Sequence, residues 1–355
     1  MRLSDIAARA GVSAATVSRV LNGRTTVSEP VRAAVMAALD ELGYERPPRR
    51  GRRSAGLVGL LVPELDNPVF PHMAQVMETA LSRAGYTSVL CTQTPGGVQE
   101  DEYVQMLMER GVSGAVFVSG HHADLTTDHR RYAEMQRRGL HLVLVNGYRE
   151  GLEAPFVSCD DAAGVHQAVE HLAGLGHTRI GLATGQPRYV PVTRKVAGFH
   201  EAVRRHLGAV SDLDDLVQTT VFRVEGGERA ASVLLDRGAT AIVCGSDPMA
   251  LGAIREVRRR GLRVPQDVSV VGSDDSPLTE FTDPPLTTVR QPVGEMGAAV
   301  ARILLDEIAG TPAPRAEYVF RPQLVVRGST GPAPRRPPSP HRAASPTTTE
   351  EPSPA

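Results

Sequence analysis

Two groups of side chains in this 355-residue sequence have types and spacings that point to chemistry. The first is contiguous, residues 13–22, Ser-Ala-Ala-Thr-Val-Ser-Arg-Val-Leu-Asn. Ser13, Thr16, Ser18 and Asn22 carry hydroxyl and amide groups that bond phosphate oxygens. Ala14 and Ala15 are small enough to let a backbone approach base edges, and Arg19 offers a forked donor that matches guanine O6 and N7. No acid interrupts the run. The second group is dispersed: Asp66-Asn67-Pro68 with Phe70, then Asp160, Ser246-Asp247, Asp274-Asp275 and Gln291. Most of these follow a short apolar run. Carboxylates and amides that converge on one cleft suit a polyol, because each sugar hydroxyl both donates and accepts. An Asp in such a place is also an ordinary helix cap, and Asp160 and Asp247 fit that role equally.

The elements that must position the first group are three short helices. Ser4 is placed as an N-cap, with Ile6, Ala7 and Ala10 on the apolar face, and Gly11 supplies the turn. Ser13 caps the second helix, whose inward stripe is Val17, Val20 and Leu21, and Asn22-Gly23 stops it. The third runs from Ser28 with Pro30 in its first turn, buries Val31, Val35, Ala38, Leu39 and Leu42, and ends at Gly43. Residues 1–44 therefore read as a helix-turn-helix head whose second helix enters a DNA major groove. Residues 1–56 hold ten Arg and five acids, a net of +5, although the whole chain is at −1. A basic head on an acidic remainder fits local attraction to phosphate. Residues 45–56 form a Pro- and Arg-rich linker: a basic arm along the phosphates through Arg49, Arg50, Arg52 and Arg53, or a solvated tether.

The second group is positioned by an α/β body. From residue 57, short apolar runs alternate with amphipathic stretches. Strands are expected at Leu57–Val62, Ser88–Cys91, Gly114–Val118, Leu140–Asn146 and Phe156–Ser158, then near 180–184, 217–221, 240–244, 268–272 and 286–290. Helices lie between them, a last helix covers about 294–309, and a strand pair covers about 317–327. Such alternation predicts parallel sheets wrapped by helices, with ligands outside the carboxyl ends of the strands. Residues 331–355 include eight Pro and almost no apolar residue, so a disordered tail is expected there.

Ile6-Ala7, Ala10-Gly11-Val12-Ser13 and Ala15-Thr16-Val17-Ser18-Arg19-Val20-Leu21-Asn22-Gly23 resemble the head of the lactose-repressor (LacI/GalR) family of bacterial transcription regulators. The likeness extends to about residue 328. It implies a body like the type I periplasmic-binding proteins, with three crossovers between two lobes. Lobe one would be about 57–159 and 292–317, and lobe two about 160–289 and 318–328. It implies that Ala14 and Ala15 stand at the positions that set operator specificity. It also places Asp160, Ser246, Asp274 and Gln291 against ligand, with Phe70 a further contact. Phe222 stands where relatives lay an aromatic over the sugar, or else belongs to the core. The family clamps ligand hydroxyls with an Arg four residues before an aromatic. Here that place, in Arg194-Lys195-Val196-Ala197-Gly198-Phe199, holds Lys195, the one lysine of the chain; Arg194 is the alternative. Relatives carry Asn at the place of Ser246. Most also carry a hinge-helix leucine, which this linker lacks.

The expected function is sequence-specific regulation of transcription, most simply repression. Operator affinity would be controlled by a sugar or polyol bound between the lobes of a cytoplasmic homodimer. The alternative is a cytoplasmic α/β sugar-binding module or enzyme with an accessory DNA-binding head. No Walker loop, Gly-x-Ser-x-Gly elbow or His-Glu-x-x-His occurs, and no cofactor or membrane partner is expected. Cys91, Cys159 and Cys244 read as inert buried thiols. His121, His122, Asp124, Asp128 and His129 match no metal-ligand spacing and read as a solvated loop, so no metal site is expected.

Overall fold

The computed structural model describes residues 3–21, 27–42, 54–93 and 99–335. The chain divides into two units, residues 1–53 and 54–355. In the first, α1 (Leu3–Ala10), α2 (Ala14–Leu21) and α3 (Glu29–Glu41) close on Ile6, Ala7, Val17, Val20, Val35, Ala38 and Leu39. Gly11 takes φ +66° in the turn, a left-handed value that a Cβ would oppose. Ser13 caps α2, its hydroxyl accepting from the Thr16 amide at 3.1 Å. Ser4 does not cap α1: it lies inside the first turn, and its hydroxyl donates to the neighbouring Asp5 carboxylate at 3.3 Å. Ser28 precedes α3 in extended backbone, but its side chain makes no capping bond. The stop at Asn22-Gly23 and the linker up to residue 53 lie outside the described residues.

The second unit is two stacked repeats of one architecture. Its first series is β1 (Gly56–Val62), α4 (Val69–Arg83), β2 (Tyr86–Thr92), α5 (Glu100–Glu109), β3 (Gly114–Val118), α6 (Arg130–Arg137), β4 (His141–Val145) and β5 (Phe156–Cys159). The second is α7 (Asp161–Gly174), β6 (Ile180–Thr184), α8 (Val190–Leu207), β7 (Val217–Thr219), α9 (Val224–Asp236), β8 (Ala241–Cys244), α10 (Asp247–Arg259), β9 (Ser269–Asp274) and β10 (Thr287–Arg290). The chain ends its regular structure with α11 (Val293–Ile308), β11 (Glu317–Phe320) and β12 (Gln323–Val325). Lobe one is a six-stranded sheet in the order β11-β5-β4-β3-β1-β2, and lobe two is β12-β10-β9-β8-β6-β7. Helices cover both faces of each sheet, so the strands are apolar on both sides rather than alternating. Met73, Met77 and Leu81 of α4 and Met296, Val300 and Leu304 of α11 pack on one face of lobe one. Leu107, Tyr132 and Met135 of α5 and α6 cover the other. In lobe two, α9 and α10 take one face and α7 and α8 the opposite one.

The chain crosses between lobes three times, after β5, β10 and β11. The strands expected as a pair near 317–327 do not pair with each other. β11 adds parallel to β5, Glu317 opposite Phe156 through Phe320 opposite Cys159. β12 adds antiparallel to β10. Lobe one therefore extends through Phe320, past the boundary expected at 317. Two residues between apolar runs look like a hairpin turn, yet each strand is claimed by the free edge of a different sheet. Residues 331–333, expected within a disordered tail, are held in place. The Gly331 amide donates to Ser269 Oγ at 3.1 Å, and the Ala333 amide donates to the Leu175 carbonyl at 2.9 Å. These backbone bonds hold residues 331–333 on lobe two without apolar side chains; residues 336–355 are outside the described part. Cys91, Cys159 and Cys244 are buried and unpaired, and burial pushes the Cys91 thiol up to about 11.

Candidate functional site

On α2 the inward stripe is Val17 and Val20. Ala14, Ala15 and Arg19 are exposed, and Thr16 and Ser18 are half-buried. The Ser13 and Thr16 hydroxyls lie 2.9 Å apart, so two of the expected phosphate contacts already bond to one another. The structure thus brings Ser13, Ala14, Ala15, Thr16, Ser18 and Arg19 onto one short helix and its cap. Asn22, Arg49, Arg50, Arg52 and Arg53 fall outside the described residues.

In the body, the carboxyl ends of the two sheets face each other across a cavity of about 630 Å³. Lobe one lines it with Asn67, Phe70, Ser119, His121, Asp124 and Asn146. Lobe two contributes Asp161, Tyr189, Lys195, Phe222, Ser246 and Asp274, and Gln291 enters from the second crossover. Contacts also bridge the lobes: the Leu125 amide donates to the Arg188 carbonyl at 2.7 Å, and Arg194 forms a two-pronged ion pair with Glu317 at 2.6 and 2.9 Å.

Asp274 is the hub. Its carboxylate accepts from Asn67 Nδ2 of lobe one at 3.2 Å and from Gln291 Nε2 at 2.7 Å. Its backbone sits at φ +112°, and Ser119 (+47°) and Asn146 (+58°) on the facing lobe-one wall are also left-handed. Three non-glycine residues held in that region mark backbone that the surrounding fold over-determines, as expected of ligand sites. Burial, followed by the nearby Asp247 carboxylate, pushes Asp274 well above the usual carboxylate range. Asp247 does not face the cavity. It accepts from the Ser276 amide at 2.7 Å and the Thr288 hydroxyl at 2.6 Å. Lys195 Nζ pairs with Asp161, and both side chains are about 10% exposed. Burial opposes charge on each partner; it holds Asp161 above the ordinary carboxylate range despite Lys195, whereas at Lys195 the Asp161 charge and hydrogen bond outweigh it. The result is one ammonium fixed on the cavity wall.

Six of the seven expected ligand residues, Phe70, Lys195, Phe222, Ser246, Asp274 and Gln291, line this cavity. Asp160 does not: its carboxylate caps α7, accepting from the Ala163 amide at 3.0 Å, and the adjacent Asp161 faces the cavity instead. Arg194 is turned away to Glu317, so Lys195 alone of that pair reaches the cavity. Ser246 also caps α10 through Met249 at 3.4 Å. Phe222 serves both surfaces, packing partly on the lobe-two core while lining the cavity. Its ring approaches Gly185 so closely that a Cβ there would stand 2.0 Å from Cε2. The His121–Ala123 segment is not a solvated loop. It is a 3₁₀ turn with His122 fully buried, its Nε2 3.1 Å from the Val145 carbonyl, and His121 and Asp124 on the cavity wall. Burial pushes His122 down to about 4. Asn146, Asp161, Asp124 and Tyr189 are cavity residues that the sequence reading did not single out as ligand contacts. Asn146 carried a usable signal, a polar residue at a strand end before Gly147.

A small helical head and, in the same chain, a two-lobed fold with a polar interlobe cavity define a class: DNA-binding regulators built on a periplasmic-binding-protein-like body. Sequence comparison agrees. Residues 2–47 match the profile of bacterial regulatory proteins, lacI family, and residues 169–330 match that of the periplasmic binding protein-like domain. The HTH-type transcriptional regulator reg1 of Streptomyces lividans is 60% identical over 94% of this chain and 97% of that protein. Among solved structures, a transcriptional regulator CelR–cellobiose complex is 32% identical, covers 93% of this chain and 99% of that chain, and superposes with a TM-score of 0.69. The lac repressor dimer bound to operator is 27% identical over 93% of this chain and 99% of that chain, with a TM-score of 0.66. The chain belongs to the LacI family of DNA-binding transcriptional regulators. No helix among the described residues is long and apolar enough to cross a membrane.

Proposed function

We propose that this protein is a cytoplasmic repressor whose hold on operator DNA is set by a sugar or related polyol bound between its lobes. The observation that carries this is the cavity itself. Asn67, Asn146, Asp161, Lys195, Asp274 and Gln291 supply donors and acceptors around it, and Phe70 and Phe222 supply apolar surface. Its volume lies within the ~300–1,000 Å³ of small-molecule sites. Cellobiose in the CelR complex supports a carbohydrate. The operator-bound lac repressor supports a dimer on DNA, as do Leu278 and Phe281, 72% and 76% exposed on one turn of lobe two.

Asn67 and Asp274 belong to different lobes and bond directly, so a ligand that replaces this contact changes the interlobe balance. An effector favouring one lobe angle over another shifts the population of that state, and with it the affinity of paired heads for DNA. The site is assigned binding rather than turnover.

The test is a thermal-shift screen of the full chain against mono- and disaccharides. Each hit is then added to fluorescence anisotropy with a duplex selected by the protein from a random pool. The expected result is one carbohydrate class that raises the melting temperature and changes DNA affinity by about 5- to 150-fold. A sugar that binds yet leaves DNA affinity unchanged overturns ligand control. Tight binding only by compounds without vicinal hydroxyls overturns the polyol assignment.

A further inference from the structure

Outside the cavity, α7 and α8 of lobe two pack side by side, Val165, Ala168, Val169 and Leu172 against Phe199, Ala202 and Val203. At the solvent edge of that contact, His166 and Glu170 occupy i and i+4 of α7, one above the other on a single face. His206, in the last turn of α8, meets them. One ligand atom from each lies within 4.8 Å of both others, and His166 Nε2 stands 3.0 Å from His206 Nε2. The imidazole rings are edge-on, with centroids 5.0 Å apart at 72°. Among the described residues this is the one group of three His, Cys, Asp or Glu side chains that converge so closely.

Two imidazole nitrogens aimed at each other can share only one proton, and sharing it leaves the Glu170 carboxylate no part in the bond. A divalent transition metal uses all three. Nitrogens at about 2.0–2.1 Å from one zinc ion stand about 3.3 Å apart at the tetrahedral angle, close to the separation seen. Two imidazoles and a carboxylate form a three-ligand zinc set, with the fourth position open to solvent. We propose that His166, Glu170 and His206 bind a divalent transition metal of the zinc type and thereby tie α7 to α8. None of the three lines the cavity. They are nevertheless carried by the two helices that hold Asp161 and Lys195, so the metal braces the scaffold of that pair from outside. His206 lies 36 residues beyond Glu170, which hides the set from any reading based on local spacing.

The experiment titrates cobalt(II) into the chelator-stripped full chain and follows visible absorption, then displaces it with zinc. Expected is one equivalent bound, with the absorption of a four- or five-coordinate site. His166→Gln and His206→Gln should each weaken binding about 100-fold, and Glu170→Gln about tenfold, because each removes a ligand. His72→Gln, in an exposed histidine elsewhere, should leave the isotherm unchanged, and circular dichroism verifies that every variant is folded. Zinc should raise the melting temperature of the wild type and not that of His166→Gln. Identical isotherms for wild type and the folded double variant His166→Gln/His206→Gln overturn the site, as does wild-type binding only at millimolar metal.

Discussion

The recognition helix and the interlobe cavity differ in how their contact groups are held. On α2 and its cap the contacts occupy about two turns of contiguous chain, exposed or half-buried, over a core of a few apolar side chains. In the cavity they come from seven or more strand ends and loops up to 224 residues apart, Asn67 to Gln291, and many are buried and already bonded to each other. The helix can exchange one side chain for another with little consequence for folding. The cavity cannot, because its buried polar groups, such as Asp161 with Lys195 and Asp274 with Asn67 and Gln291, compensate each other. Specificity for DNA and specificity for a ligand should therefore respond differently to substitution.

Three measurements sharpen or break that contrast. The largest effect is expected for Lys195→Met, which leaves the Asp161 carboxylate buried without its partner. Calorimetry should show the body destabilised by about 3–5 kcal/mol. Adding Asp161→Asn should restore most of it. A single-variant loss no larger than that of an exposed side chain would show that the pair is not structural. Next, Arg19→Ala should cost about 1–3 kcal/mol in DNA affinity and relax discrimination at one base pair, with stability unchanged. Anisotropy on a series of single-base operator variants tests this; uniform weakening would make Arg19 a phosphate contact. The smallest effect is on pH dependence. With its carboxyl held above the ordinary range, Asp274 keeps in the folded state a proton that the unfolded chain releases. Its contribution to stability is full below the ordinary carboxyl range and is lost as pH rises through the folded value. The slope is at most about 1.4 kcal/mol per pH unit for one proton. Asp274→Asn should flatten the decline in melting temperature with rising pH. An unchanged slope would place the effect on Asp247 alone.

The same contrast explains what the sequence made legible. The head could be read residue by residue, because turn, caps and contacts fall within one short stretch. Two caps misled: Ser4 lies inside the first turn and bonds the neighbouring carboxylate, and Ser28 precedes α3 without a capping bond. The alternation of strands and helices was equally plain, for both faces of each sheet are covered. Cavity residues at strand ends could be found, but Asp160 and Asp161 could not be told apart, because a one-residue rotation at a helix start decides which caps and which faces the cavity. Phe222 could not be assigned to core or cavity, and it serves both. The partners of β11 and β12 depend on which sheet edge is vacant, and the burial of His122 depends on Tyr132 and Phe156 folding over it. Neither is local information.

The three crossovers also set an order of events on the ribosome. Lobe one is encoded first, yet α11 and β11, which cover its α4 face and complete its sheet, leave the ribosome only after all of lobe two except β12. A nascent chain that stops short of residue 293 would leave Met73 and Met77 without their α11 neighbours. The head can be finished early, as a small N-terminal unit. The interlobe cavity closes last, when residues 293–325 arrive, so a chain cut before that point would carry a finished head and an unfinished cavity.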